Sequence, residues 1–365
     1  MSLTALVTAC VLAQSFGEAD RLEIRADWPV PDEPEAGVML IHTLSPLEQP
    51  KISPLHKWEF RFVTSGLVRT LGRDEFSPRF QVFGQARAKD HNDIAQWSTR
   101  QLLRMWGYNM YRLNFDHAES FRRVVDVYLG FGGDPGGEQL FTQDPQLPGS
   151  NRRANVIYIY SVYEITRPID LARELAHEYG HATLPSPSGY SAPENWANGE
   201  LGERVYLTWL RDDIAAGRLR EFDAVNTPVA QLDEYIKAKV DPLVNAYASA
   251  PPNIAAMRKK DAPGMMAWVG LCVYAQAILP PRAFGRMLAL GNPEDPVSYE
   301  RSFRDALAER PEWKLTVPRV LKDQAFWFPL GRGQVTGASI QTRQGNWARI
   351  RVPSGTFSIK YPAAN

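Results

Sequence analysis

The stretch Arg173-Glu174-Leu175-Ala176-His177-Glu178-Tyr179-Gly180-His181 constrains this chain more than any other. From Ile169 to Ala182 there is no proline, and Leu171, Leu175 and Ala176 fall at helical spacing on one apolar side. On a helix, His177 and His181 leave the same face one turn apart. Two ring nitrogens so placed reach a single ion at about 2.0–2.1 Å. Glu178 is rotated about 100° from His177. It is badly placed to bind the same ion and well placed to hold a water that the ion has polarised. A zinc-bound water has its pKa lowered to about 7. A neighbouring carboxylate takes the proton of that water as it attacks a carbonyl and passes it to the leaving nitrogen, while the carbonyl oxygen leans on the metal. The stretch therefore offers two of three protein ligands, His177 and His181, and a general base, Glu178.

The third ligand is expected downstream of His181. A loop, Ala182 to Gly189, leads to a helix expected from Pro193, a favourable first-turn residue, to Leu210. Gly199 and Gly202 weaken that helix by propensity. Glycines are tolerated where another helix or a metal comes close. Trp196, Glu200, Glu203, Leu207 and Leu210 share a face at intervals of three and four. Two carboxylates on an otherwise apolar face call for a cation or a partner. Glu200, 19 residues after His181, is the expected ligand, with Glu203, 22 residues after it, as the alternative and Glu194 behind both. The carboxylate that does not bind is expected to orient a histidine or to pair with Arg204.

His177-Glu178-x-x-His181 with Glu200 some twenty residues on resembles the gluzincin metallopeptidases, the thermolysin-like group. The resemblance runs from about Arg79 to Leu307 and implies catalytic Zn2+ and hydrolysis of a peptide or protein substrate. It also implies an α+β, zincin-like core: a mixed sheet with the active-site helix, then a mainly helical half. Around the glutamate such proteins often carry Trp, then Glu-Gly, whereas here Trp196 is followed by Gly199-Glu200-Leu201-Gly202. A metzincin would need a third histidine at position 187, which is Pro. The family usually adds a Tyr or His to stabilise the oxyanion. Tyr190, Tyr235, Tyr274 and Tyr299 are the candidates here, each also readable as a packing tyrosine.

The rest of the chain fits a globular protein with alternating elements. Strands are expected at Arg21–Trp28, Val38–His42, Lys57–Val63, Arg79–Ala86, Val124–Leu129 and Asn155–Val162, and a helix at Asn92–Trp106. Asn155–Tyr160 reads either as an edge strand that pairs with an extended peptide or as a half-buried strand with no such role. Helices are expected at Val229–Ala248, Ala262–Leu279, Arg282–Leu290 and Tyr299–Ala308. The apolar run Met265–Leu279 is too short to span a bilayer, which takes about 20 residues, so no transmembrane helix is expected. From about Pro318 the pattern alternates again over Gln334–Thr342, Trp347–Val352 and Thr356–Tyr361, a small C-terminal β segment. The expected layout is a leader over 1–19 and a β-rich region over 20–78. The core follows over 79–317 (sheet and active-site helix 79–190, helical half 191–317), with the β segment over 318–365.

Equal numbers of basic and acidic residues, 41 each, and no long basic run speak against nucleic acid as a partner. Met1–Ala19 resembles a secretory leader without a basic start, which implies a secreted or periplasmic protein. Val7-Thr8-Ala9-Cys10 loosely resembles a lipoprotein site, with Cys10 as the anchor. The only other cysteine, Cys272, reads as a small buried hydrophobe. His42, His56, His91 and His117 stand singly and read as structural or exposed. The rival reading of the whole is a catalytically silent, zincin-like binding protein with a structural metal site and a C-terminal β recognition module. The retained Glu178 speaks against it, since a structural centre has no use for a general base.

Overall fold

The computed structural model describes residues 21–23, 38–41, 45–69, 77–85, 89–115, 124–143 and 153–362. The leader with Cys10, His42 and His117 lie outside them, and of His91 only its place in a helix is described. The chain is mixed α and β. It divides into two compact units, one of Met1–Gly107, His117–Leu175 and Arg220–Thr227, the other of Tyr108–Asp116, Ala176–Leu219 and Pro228–Asn365.

The first unit is built on an eight-stranded mixed sheet. Its strands are β1 (Arg21–Glu23), β2 (Val38–Ile41), β3 (Ser45–Ile52), β4 (Glu59–Arg69), β5 (Ser77–Gly84), β6 (Val125–Leu129), β7 (Gly136–Gln143) and β8 (Arg153–Tyr160). They run in the order β1-β2-β4-β5-β6-β8-β7, with β3 also beside β4. β6 lies parallel to both β5 and β8, and the other pairs are antiparallel. Every residue of β6 is buried, as a strand flanked by parallel neighbours on both sides should be, and this includes Asp126, which pairs with Lys51 at 3.5 Å. Phe60, Phe83, Tyr128, Val156 and Tyr158 form the core on one face, with Tyr128 stacked between Phe83 at 5.1 Å and Tyr158 at 5.0 Å. The edge-strand reading of Asn155–Tyr160 is corrected here. β8 has β6 on one side and β7 on the other, and β7 is the terminal strand. Helix α1 (Lys89–Gly107) carries Arg100 and Arg104, which grip the buried Asp223 at 3.0 and 3.5 Å. Strand β5 crosses the boundary expected at residue 78.

Helix α2 (Pro168–Thr183) begins in the first unit and ends in the second. The second unit adds α3 (Asn198–Ala215), α4 (Val229–Lys239), α5 (Asp241–Ser249), α6 (Ile254–Met257), α7 (Ala262–Ile278), α8 (Pro281–Leu290) and α9 (Ser298–Ala308). The single helix expected over Val229–Ala248 is two, broken at Val240 because Pro242 lacks an N–H and seats itself in the first turn of a new helix. α7 is buried along most of its length. Among the described residues no helix is long and apolar enough to cross a membrane. Six C-terminal strands form two three-stranded sheets: β9 (Glu312–Thr316), β10 (Ala325–Phe328), β11 (Gln334–Thr336), β12 (Ser339–Gln344), β13 (Trp347–Arg351) and β14 (Thr356–Lys360). Their orders are β10-β13-β12 and β11-β14-β9, so this structure recruits β9 from before residue 318.

One crossing in the second unit matters most. The last turns of α2 meet α3 at glycines. A Cβ on Gly202 would lie 2.6 Å from the Gly180 Cα and 2.8 Å from the Ala176 carbonyl oxygen, and a Cβ on Gly180 would collide with the Asn198 carbonyl. All three obstacles are backbone and cannot rotate aside. Gly202→Ala should therefore force the helices apart and cost about 1–3 kcal/mol as overpacking does. Urea denaturation of the two proteins checks this, and an unchanged midpoint would contradict the close crossing.

Candidate metal centre

His177 and His181 leave α2 on the side away from Leu171, Ala172, Leu175 and Ala176, all of which are buried. The two Nε2 atoms stand 3.2 Å apart. Oε2 of Glu194 lies 2.9 Å from each of them. His177, His181 and Glu194 thus form a half-buried cluster of three donor atoms that could hold a metal ion. Donors bound at 2.0–2.1 Å in a tetrahedral shell stand about 3.3 Å from one another, close to the spacing found here.

The outer nitrogens show which way the lone pairs point. Asn198 Nδ2 donates to the His181 carbonyl at 3.3 Å and to the Leu184 carbonyl at 2.8 Å. The Asn198 Oδ1 is thereby turned to His181 Nδ1 at 2.7 Å, so that nitrogen must carry the proton and donate. Oε2 of Glu203 stands 3.5 Å from His177 Nδ1 and makes the same demand of it. Both Nε2 lone pairs then face the carboxylate oxygen of Glu194. Three acceptors this close repel unless a cation sits among them. Oε1 of Glu194 is also buried without a hydrogen-bond partner. Without metal a proton fills the role. Burial pushes the His177 pKa down, but Glu194, Glu203 and Glu178 outweigh it and raise it to about 11. Burial likewise raises Glu194, and the two histidines more than reverse this, to about 2. Glu178 is 4% exposed, close enough for its charge to act on His177.

Glu200 is not at this cluster, which corrects the expected ligand set. Its carboxylate pairs with Arg204 at 2.6 Å. The reason is the phase of α3. The helix starts at Asn198, not at Pro193, and its face toward α2 is glycine. A Cβ on Gly199 would collide with Nε2 of both histidines. Glu200 is one residue further, about 100° round the helix. Glu203, four residues beyond Gly199, returns to the face and meets His177. Trp196 precedes the helix and is 50% exposed, so it does not share the buried face. The two roles open to a non-binding carboxylate are both taken: Glu203 faces a histidine and Glu200 pairs with Arg204. The sequence reading missed Asn198 altogether. The paired glycines were the available signal, because a helix that turns glycine to two imidazoles offers no ligand from that position.

Of the four tyrosines, Tyr274 donates to the Trp327 carbonyl at 2.7 Å. Tyr190 and Tyr299 are buried, and the groups that raise their pKa beyond burial are Cys272 and, for Tyr299, Tyr190. Tyr235 is buried on α4. Cys272 is fully buried, and burial pushes its thiol pKa well up. His56 bonds Tyr160 at 2.8 Å and stacks on Trp58 at 4.5 Å. Comparison with family models, with curated proteins and with solved structures finds no match to this chain.

Two outcomes follow from the donor set. Glu194→Gln should weaken uptake of a divalent ion by more than about 100-fold, beyond what loss of an outer partner does, while Glu200→Gln leaves it intact. Equilibrium dialysis with atomic absorption measures both, and the reverse pattern would restore Glu200 as the ligand. Gly199→Ala should abolish uptake with the fold retained by circular dichroism, because its methyl group collides with Nε2 of both histidines.

Proposed function

We propose that this chain is a zinc-dependent metallopeptidase that hydrolyses peptide bonds, with a zincin-like core of the gluzincin kind. The observation that carries the reading is the convergence of His177 Nε2, His181 Nε2 and Glu194 Oε2 within 3.2 Å, with the outer ring nitrogens engaged by Glu203 and Asn198. Two histidines and a carboxylate suit zinc, and three protein ligands with one position open suit a catalytic centre. A structural centre closes with four, and three donors converge among the described residues. Glu178 adds what a structural centre would not need.

His177, His181 and Glu194 would hold the ion, which when bound supplies Lewis acidity toward a water and a carbonyl oxygen. The chain's own residues do the rest. Glu178 is buried, so little bulk water competes for its carboxylate. That carboxylate accepts a proton from the attacking water and delivers it to the leaving nitrogen. Glu203 and Asn198 keep both rings in the tautomer that offers Nε2 to the centre. Gly199 keeps that space clear of side chain.

Glu178→Gln is the decisive variant, since it preserves shape and removes the base. Zinc content should be unchanged while turnover of a mixed peptide library falls by about 10²–10⁴-fold. Full zinc content with retained turnover would remove Glu178 from the mechanism. A wild-type chain that takes up no zinc would remove the mechanism itself.

A further inference from the structure

Glu194 reaches the histidines from residues 184–197, which form neither helix nor strand apart from their last turn into α3. Part of this segment is folded on itself. The Tyr190 N–H donates to the Asn195 carbonyl at 3.2 Å, the Gly189 N–H to Asn195 Oδ1 at 3.3 Å, and the Ala197 N–H to the Pro187 carbonyl at 3.3 Å. Such bonds shape the segment but do not tie it to the rest of the unit.

The segment's first residue is tied to the helices on either side, the Leu184 N–H donating to the Gly180 carbonyl at 2.9 Å and the Leu184 carbonyl accepting from Asn198 at 2.8 Å. Its middle is held by Lys260. Lys260 Nζ donates to the Ser188 carbonyl at 2.7 Å and stands 4.7 Å from the centre of the Tyr190 ring. The Lys260 carbonyl accepts from the Ser191 N–H at 2.8 Å and from Ser191 Oγ at 3.1 Å. Four contacts, at Ser188, Tyr190 and twice at Ser191, thus end on a single residue, using both its side chain and its backbone. That residue is itself fixed. It lies in the turn between α6 and α7, where Asp261 caps α7 by accepting from the Gly264 N–H at 2.8 Å. A Cβ on Gly264 would collide with the Lys259 carbonyl, so this turn sits hard against the start of α7.

We propose that Lys260 is a positioning residue for the third metal ligand: it clamps residues 188–191 to the start of α7 and so sets where Glu194 presents its carboxylate to His177 and His181. The proposal rests on the metal-centre reading. A carboxylate borne on a helix needs no such clamp, because its backbone is already fixed. One borne on an irregular segment does, since a ligand displaced by a fraction of an ångström changes a bond that tolerates about ±0.2 Å.

The test uses the full chain and Lys260→Met, which keeps the apolar stem and removes the ammonium group, with Lys260→Arg beside it. Zinc affinity, measured by competition with a chromophoric chelator, should fall about 10-fold or more in Lys260→Met and recover in Lys260→Arg. The thermal midpoint of the metal-free protein should move little. In a Glu194→Gln background, Lys260→Met should cause no further loss, because both act through the same bond. Amide exchange of the metal-free protein should show residues 188–195 opening in Lys260→Met. Equal zinc affinity in wild type and Lys260→Met, or an equal loss in both backgrounds, would overturn the positioning role. Unchanged exchange at 188–195 would overturn the clamp even if the wild type binds no zinc, an outcome that by itself would sink the metal-centre reading.

Discussion

The contact between two backbones at Gly180 and Gly202 is what the rest of the centre depends on. Side chains normally hold helix axes 8–10 Å apart. Here Cα faces Cα, and the absence of both side chains lets α3 lie close against the end of α2. Asn198 reaches one ring at 2.7 Å and Glu203 the other at 3.5 Å. A Cβ on Gly180 or Gly202 pushes against peptide groups, which have nowhere to rotate.

The crossing also decides the electrostatics. Imidazole can bind through either nitrogen, and the choice is made by whatever holds the other one. Asn198 makes it for His181 through an amide whose nitrogen is already committed to two carbonyls. For His177 the choice falls to a second carboxylate, Glu203. With Glu178 and Glu194, this leaves three acidic groups acting on one ring. Such a density of negative charge in a half-buried place is unfavourable on its own and favourable once a divalent cation is present.

Those parts of the centre that depend on local geometry could be read from the sequence. His177, Glu178 and His181 lie within one turn and a half, and helical periodicity alone puts the histidines on one face. The buried strands β6 and β8 were equally plain, since both are rich in β-branched and aromatic residues. What escaped depends on the phase of a second helix. Asn198, and not Pro193, begins α3, and this shift turns Gly199 inward and Glu200 toward Arg204. No periodicity reveals a ligand on an irregular segment, so Glu194 ranked last among the three carboxylates. β7 gives a weak signal because Gly136-Gly137 and two glutamines interrupt its pattern. The break between α4 and α5 was written plainly in Pro242 and was overridden by apolar spacing that continued across it.

Glu194 stands 13 residues from His181, on a stretch with no regular hydrogen-bond ladder. An ion shared by both would staple that stretch to α2, closing a short ring whose conformational cost is small. The staple is removable. By mutual linkage, whatever frees the stretch loosens the ion, and loss of the ion frees the stretch. With an ion bound there, local order and cation occupancy would rise and fall together.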